Sequence, residues 1–316
     1  MKFGLTFGPF IKNPYNAVEL AIRTDRLGYD AAWVTHDPLW ENSWVVSGAI
    51  GYATKNIKVG PAIVNPYSSS LVEIAMGAFT LNNLTNGRAV LGFGPGSKKM
   101  LEEAGFSHVE LLTTMDKAVE YLKKALNPST SNLRIKSVSR IPLFIGCQSP
   151  KLLQRVGKWQ VGALILLTPP SYGVEALKHV WEGAQKAKTQ PDLENIVASV
   201  LCSVSKDEQL ARKAFASFIM HILDYLSTSQ LDFNGLTRSE ILSLKDKYSQ
   251  EGWEGLPEKV YELGAIGVEG LMKTLETLRG AGYRQVKIGS PLGHDIHESV
   301  SLIASHILPH FKDDGR

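Results

Sequence analysis

Residues 90–99 read VLGFGPGSKK: an apolar run, three glycines in five positions, then two lysines. A strand that runs into a glycine-rich turn brings the backbone close to whatever sits at the strand end. The dinucleotide fingerprint needs G-x-G-x-x-G, whereas the spacing here is Gly92-x-Gly94-x-Gly96, so it fails at its last glycine. The segments on either side decide which strand–helix architecture owns the turn.

Short apolar, β-branched runs recur along the chain, at KFGLTF (2–7), AAWVTH (31–36), IKVGPAIV (57–64), RAVLGFG (88–94), IPLFIG (141–146), GALILL (162–167), NIVASVLCSV (195–204) and RQVKIGS (284–290). Between them lie helical patterns such as NAVELAIRTDRLGYD (16–30), where Ala17, Leu20, Ala21 and Leu27 fit a 3.6-residue repeat and Gly28 is a stop. In LETLRGAGYRQVKIGS, Gly280 and Gly282 punctuate a helix before the last strand. Alternating strands and helices predict parallel strands with right-handed crossovers. Eight of them predict a (β/α)8 TIM barrel, one domain over residues 1–316, with an open doubly wound sheet as the alternative. Two stretches exceed the repeat and read as insertions: about 97–140, and about 205–283, which holds several helical segments.

Composition narrows the function. With 34 basic and 31 acidic residues the net charge is only +3, which argues for neither a nucleic-acid nor a membrane partner. Cys147 and Cys202 form no pair motif. The opening MKFGLTFGPF lacks a signal-peptide layout, and the longest apolar run, VGALILL, is too short to span a bilayer; the expected location is cytoplasmic. No G-x-S-x-G elbow, P-loop or CxxC is present, which leaves hydrolase and NTPase readings unsupported.

A barrel carries its chemistry at the C-terminal ends of its strands. Those ends, among them Thr6–Gly8, Thr35–Asp37, Asn65–Tyr67, Gly94–Lys98, Gly146–Ser149 and Thr168–Pro170, are rich in glycine, hydroxyls and amides and poor in carboxylates. Several such turns on one face suit a ligand that carries a phosphate. His36 and Asp37 are the one adjacent acid–base pair at a strand end. His294 and His297 lack a third ligand nearby, so no metal is expected. Trp33, Trp40 and Trp44 surround the second strand end, either stacked on a flat ring or packed in the core.

The run NPYSSSLVEIAMGAFTLNNLTNGRAVLGFGPG (65–96), the turn in IPLFIGCQSPKLLQRVGKWQVGALIL and the terminus GSPLGHDIHESVSLIASHILPHFKD resemble the bacterial-luciferase-like superfamily. Within it they resemble the coenzyme F420-dependent methylenetetrahydromethanopterin reductases, and the likeness spans nearly the whole chain. The resemblance implies a barrel with the deazaflavin across its mouth and a cis peptide at Ala62–Ile63 behind the ring. It places Asn65 by the ring, Pro95 and Gly96 near the cofactor, and Gln148, Ser149, Lys151 and Leu152 at its phosphate. His36, Asp37 and Thr6 stand at the catalytic positions. It further implies a small-molecule substrate and a homo-oligomer, a dimer or tetramer.

The chain departs from that pattern at the reacting centre. Thr6 stands where the reductases carry a glutamate, the Asp-His pair appears as His36-Asp37, Ser68-Ser69-Ser70 replaces T-R-H, and Ser97 replaces an acid. An FMN-dependent monooxygenase and a barrel that has lost catalysis are the alternatives to an F420-dependent oxidoreductase.

Overall fold

The structure is a computed structural model and describes residues 1–8, 11, 13–167, 169–226 and 228–312, so Thr168 of the sixth strand end lies outside the described residues. All eight expected strands form: β1 (Lys2–Phe7), β2 (Ala31–Val34), β3 (Lys58–Pro61), β4 (Leu91–Phe93), β5 (Leu143–Cys147), β6 (Gly162–Leu167), β7 (Ile196–Ser203) and, last in the chain, β9 (Gln285–Leu292). A two-residue strand, β8 (Ala265–Ile266), adds to the end of β7; it is too short to leave a periodic signature.

The strands pair in the order β3-β2-β1-β9-β7-β6-β5-β4. The two ends of that order meet through bridges Val59–Ala89 and Val64–Phe93, which closes the sheet and excludes the open doubly wound alternative. Alternation along each strand divides two cores. On β1, Phe3, Leu5 and Phe7 join the layer beneath the helices, while Gly4 and Thr6 fall on the opposite, inward set. Ala31, Trp33, Ala62, Val90, Phe144, Leu164 and Val197 plug the barrel, with Trp33 and Phe144 edge to face at 5.1 Å.

Between the backbone bonds joining Val59 with Val90 and those joining Val64 with Gly92, the β3–β4 ladder is interrupted by a bulge over residues 61–63. The Ala62–Ile63 peptide in it is cis, at the bond the resemblance names. The bulge explains the glycines of VLGFGPG. A Cβ on Gly92 would lie 2.8 Å from the Pro61 carbonyl oxygen and 2.9 Å from Ala62 Cα, and one on Gly94 would lie 2.6 Å from Ile63 Cδ1. Only Gly96, at φ +72°, needs its freedom for the turn itself.

The helix Pro14–Arg26 is capped by Asn13 and followed by Gly28 at φ +85°, as its pattern predicts. Helix Gly267–Ala281 runs through Gly280 and stops at Gly282, φ +110°, so only the second of those glycines is a terminator: it alone leaves the helical region. The later insertion contributes helices Glu208–Ile222 and Arg238–Glu251, which close their own apolar cluster around Phe215, Ile219, Leu223, Ile241 and Tyr261 on top of Leu201. No helix among the described residues is long and apolar enough to cross a membrane.

Candidate active site

A cavity of about 930 Å³ opens at the C-terminal ends of the strands. Its walls include His36, Asp37, Ile63, Asn65, Pro95, Gly96, Gln148, Ser149 and Leu152, all residues singled out in the sequence. Thr6, Ala62 and Lys151 are not on its wall. Thr6 is buried within the barrel with its hydroxyl unpartnered. Ala62 packs its methyl into the barrel plug, and Lys151 is exposed in the first turn of helix Pro150–Trp159.

The floor is apolar. Ile63 lies across the ends of β4 and β5, and a Cβ on Gly146 would be 2.7 Å from its Cδ1, so Gly94 and Gly146 together leave the room it fills. Beside it Asn65, almost wholly buried, accepts hydrogen bonds at Oδ1 from the backbone N–H groups of Tyr67 (3.0 Å) and Ser68 (2.9 Å) and from the Ser68 hydroxyl (3.1 Å). That arrangement turns the amide nitrogen towards Gly96 and leaves it free to donate.

His36 is oriented from behind: Nδ1 lies 2.9 Å from the hydroxyl of Ser43, a fully buried residue at the first position of helix Ser43–Ala53. Burial holds the ring below its ordinary pKa of 6.5, so it is neutral at neutral pH and its Nε2 is left for a ligand. Burial also pushes the Asp37 carboxyl up, opposed by the positive charge of Lys287 on β9.

At the far wall, helix Pro150–Trp159 presents its first turn. Ser149 occupies the N-cap but its side chain makes no capping bond; Pro150 has no N–H and the N–H groups of Leu152 and Leu153 donate to the Ser149 carbonyl, so the Ser149 hydroxyl and the Lys151 N–H are the donors left at the positive end of the helix. The Tyr172 hydroxyl donates to the Gln148 carbonyl (2.9 Å) and fixes this turn.

The two insertions roof the cavity. Lys99, from helix Lys98–Glu103, stands 4.7 Å above the Tyr225 ring and 3.9 Å from the Asp224 carboxylate, which also pairs with Lys245 at 2.5 Å. The His108 ring packs against Tyr67, centroids 4.8 Å apart and tilted by 44°, and its Nε2 is buried without a partner on the cavity wall. Sequence reading missed Ser43, His108, Tyr225 and Lys287. Only Lys287 left a sign, a lysine between Val286 and Ile288 in an apolar strand pattern; the others lie in a helix start and in insertions without periodic constraint.

The three tryptophans do not form a ring platform. Trp33 plugs the barrel, Trp40 is exposed, and Trp44 packs over Gly77, 3.1 Å from where a Cβ would be. Among the described residues no three His, Cys, Asp or Glu side chains converge as a metal site.

Comparison with known proteins agrees with the geometry. The chain is 29% identical over 335 aligned residues to 5,10-methylenetetrahydromethanopterin reductase of Archaeoglobus fulgidus, covering 99% of this chain and 100% of that protein. It is 25% identical to the reductase of the same description from Methanopyrus kandleri, over 99% of both chains. The solved structure of the coenzyme F420-dependent tetrahydromethanopterin reductase of Methanopyrus kandleri has the same fold, with a TM-score of 0.85 at 23% identity over 98% of this chain and 99% of that one. An F420-dependent secondary alcohol dehydrogenase, solved with an F420–acetone adduct, superposes with a TM-score of 0.79 at 19% identity over 99% of both chains. Residues 1–269 match the luciferase-like monooxygenase family, and the chain belongs to it.

Proposed function

We propose that this protein is a coenzyme F420-dependent oxidoreductase acting on a small electrophilic substrate, with a methylenetetrahydromethanopterin-like one-carbon carrier as the first candidate. The observation that carries the reading is the lining of the cavity: an apolar floor at Ile63 with an amide donor at Asn65, and an uncapped helix start at Ser149 on the same wall. This donor set fits a flat ring at one end and a phosphate at the other. The deazaflavin, when bound, supplies the hydride.

The chain's own residues orient and exclude. Ile63 would support the ring, and the Asn65 amide would be its hydrogen-bond donor. The Ser149 hydroxyl, with the backbone N–H of Lys151, would receive the phosphate. Neutral His36, held by Ser43, offers one nitrogen to ring or substrate, and Asp37 beside it adds an acid within the same wall. His108 Nε2 is a further group awaiting a ligand. Lys99, Asp224 and Tyr225 join the two insertions at the wall of the cavity.

The same reading includes a homo-oligomer. Helices Ser43–Ala53 and Leu71–Leu84 carry one charged residue between them, Glu73, and expose Val45, Tyr52, Val72, Met76 and Leu84. A face so poor in charge fits a second copy of itself better than a charged partner.

The test is a fluorescence titration with coenzyme F420, with FMN in parallel. Saturable binding of the deazaflavin supports the reading. Preference for FMN moves the protein to the monooxygenases, and binding of neither overturns catalysis by this site.

A further inference from the structure

A separate cavity of about 370 Å³ opens at the other end of the barrel, where the strands begin. Its inner wall is the underside of the apolar plug, with Trp33, Val90, Phe144 and Val197. Lys2 and Lys58 line it as well. Strand register brings these groups together: Gly4 of β1 lies beside Ala31 of β2, and Ala31 beside Lys58 of β3. Lys2 stands two residues before Gly4, on the same face of its strand.

Trp33 gives the cavity a donor. The residue is only 2% exposed, yet among the described residues its indole N–H has no hydrogen-bond partner. The nitrogen edge of the ring lies against Gly4 on the cavity wall, where a Cβ would be 2.5 Å from Nε1 and 2.7 Å from Cδ1. Glycine at position 4 is therefore what lets the indole lie there. An unpartnered N–H in a buried residue costs free energy that an acceptor on a ligand would return.

The charges on this wall are unevenly matched. Asp25 accepts at its two carboxylate oxygens from the backbone N–H groups of Lys55, Asn56 and Ile57. Asp30 accepts from the Phe3 N–H at 2.7 Å and lies 3.3 Å from the Lys312 ammonium. Both acids are thus occupied by fixed donors. Among the described residues the Lys2 and Lys58 ammonium groups have no hydrogen-bond or ion-pair partner. Burial, and then the charge of Lys2, hold the Lys58 ammonium below its ordinary pKa, with Asp30 opposing, as befits two cations facing one space.

We propose that this end of the barrel is a binding site for a small organic anion. Its carboxylate lies between the Lys2 and Lys58 ammonium groups and the Trp33 indole N–H, and its apolar body lies against Phe144 and Val197. The volume is that of a small-molecule site. The plug separates it from the mouth, so it stands whether or not F420 binds there.

The test follows the Trp33 indole ¹⁵N–H signal by NMR during titration with benzoate, and separately with inorganic phosphate, at constant ionic strength. Trp33→Phe assigns the signal, and its contact with the Gly4 protons assigns it where that variant fails to fold. Benzoate should move the signal saturably in wild type. Lys2→Met and Lys58→Met, both at exposed positions, should each weaken binding by about tenfold or more. Phosphate has no apolar body and should bind more weakly; equal affinity for the two overturns the organic part of the assignment. Ser149→Ala, at the mouth, should leave the benzoate midpoint where it was. A signal that never saturates, or that has one midpoint in wild type and both lysine variants, overturns the proposal and leaves a hydrated cleft. A midpoint lost in Ser149→Ala overturns it too, because the anion then acts from the mouth.

Discussion

Ser43 Oγ stands 2.9 Å from His36 Nδ1, and this bond decides which nitrogen of the imidazole is left to the cavity. Ser43→Ala should leave Nδ1 without its partner at a cost of about 1–3 kcal/mol in stability. The freed ring should also weaken F420 binding. Chemical denaturation and fluorescence titration of the one variant measure both effects, and loss of stability alone would make Ser43 purely structural.

The same histidine gives a pH dependence with a defined sign. Burial holds His36 below its ordinary 6.5, so the unfolded chain takes up the proton first. Its contribution to stability is therefore full above about 6.5 and is lost as pH falls through that value. Between pH 8 and pH 5 the wild type should lose more thermal stability than His36→Gln, which cannot titrate. Parallel melting curves would contradict this.

Ile63 and the glycines beneath it form a coupled set. Gly146→Ala places a methyl 2.7 Å from Ile63 Cδ1 and should destabilise by about 1–3 kcal/mol. Shortening Ile63 to Ala in the same chain should return part of that loss, because the obstacle is a side chain. Gly92→Ala should gain no such relief, since its neighbours are the Pro61 carbonyl and Ala62 Cα. A double-mutant cycle read by denaturant unfolding separates the two cases.

Asn65 holds its loop and faces the ligand at once. Asn65→Ala removes the acceptor of three hydrogen bonds and the amide donor, so both stability and F420 affinity should fall. Ser68→Ala removes only one of those bonds and should lower stability alone. Equal affinity in wild type and Asn65→Ala would take Asn65 out of the ligand site.

Thr6→Glu tests the substrate. If a methylene-pterin is the natural substrate, the wild-type site is already suited to it and the variant should change its reduction little. A gain of about tenfold or more, roughly 1.4 kcal/mol of transition-state stabilisation, would show that the threonine serves another substrate.

The barrel was legible because its evidence is periodic. Strand runs such as GALILL and helix faces such as Ala17–Leu20–Ala21 are constrained by burial on every turn of the chain. The glycines at 92, 94 and 96 invited a phosphate reading, yet two of them make room for a bulge thirty residues earlier, a tertiary cause that local spacing does not carry. The strand-end reading brought His36 and Asp37 into view, and motif resemblance seven more wall residues, from Ile63 to Leu152. His108 and Tyr225 escaped because insertions over a cavity obey no period, and Ser43 because a helix's first residue reads as a cap.

The roof joins the two insertions through Lys99, whose partners Asp224 and Tyr225 are reached at 3.9 and 4.7 Å and whose side chain is about half exposed, 48%. Contacts of this kind are weak and screened by salt. The barrel below is held by apolar packing that salt does not loosen. Residence time and fold stability are thereby separated: raising ionic strength should quicken the escape of a bound ligand while the melting temperature stays where it was.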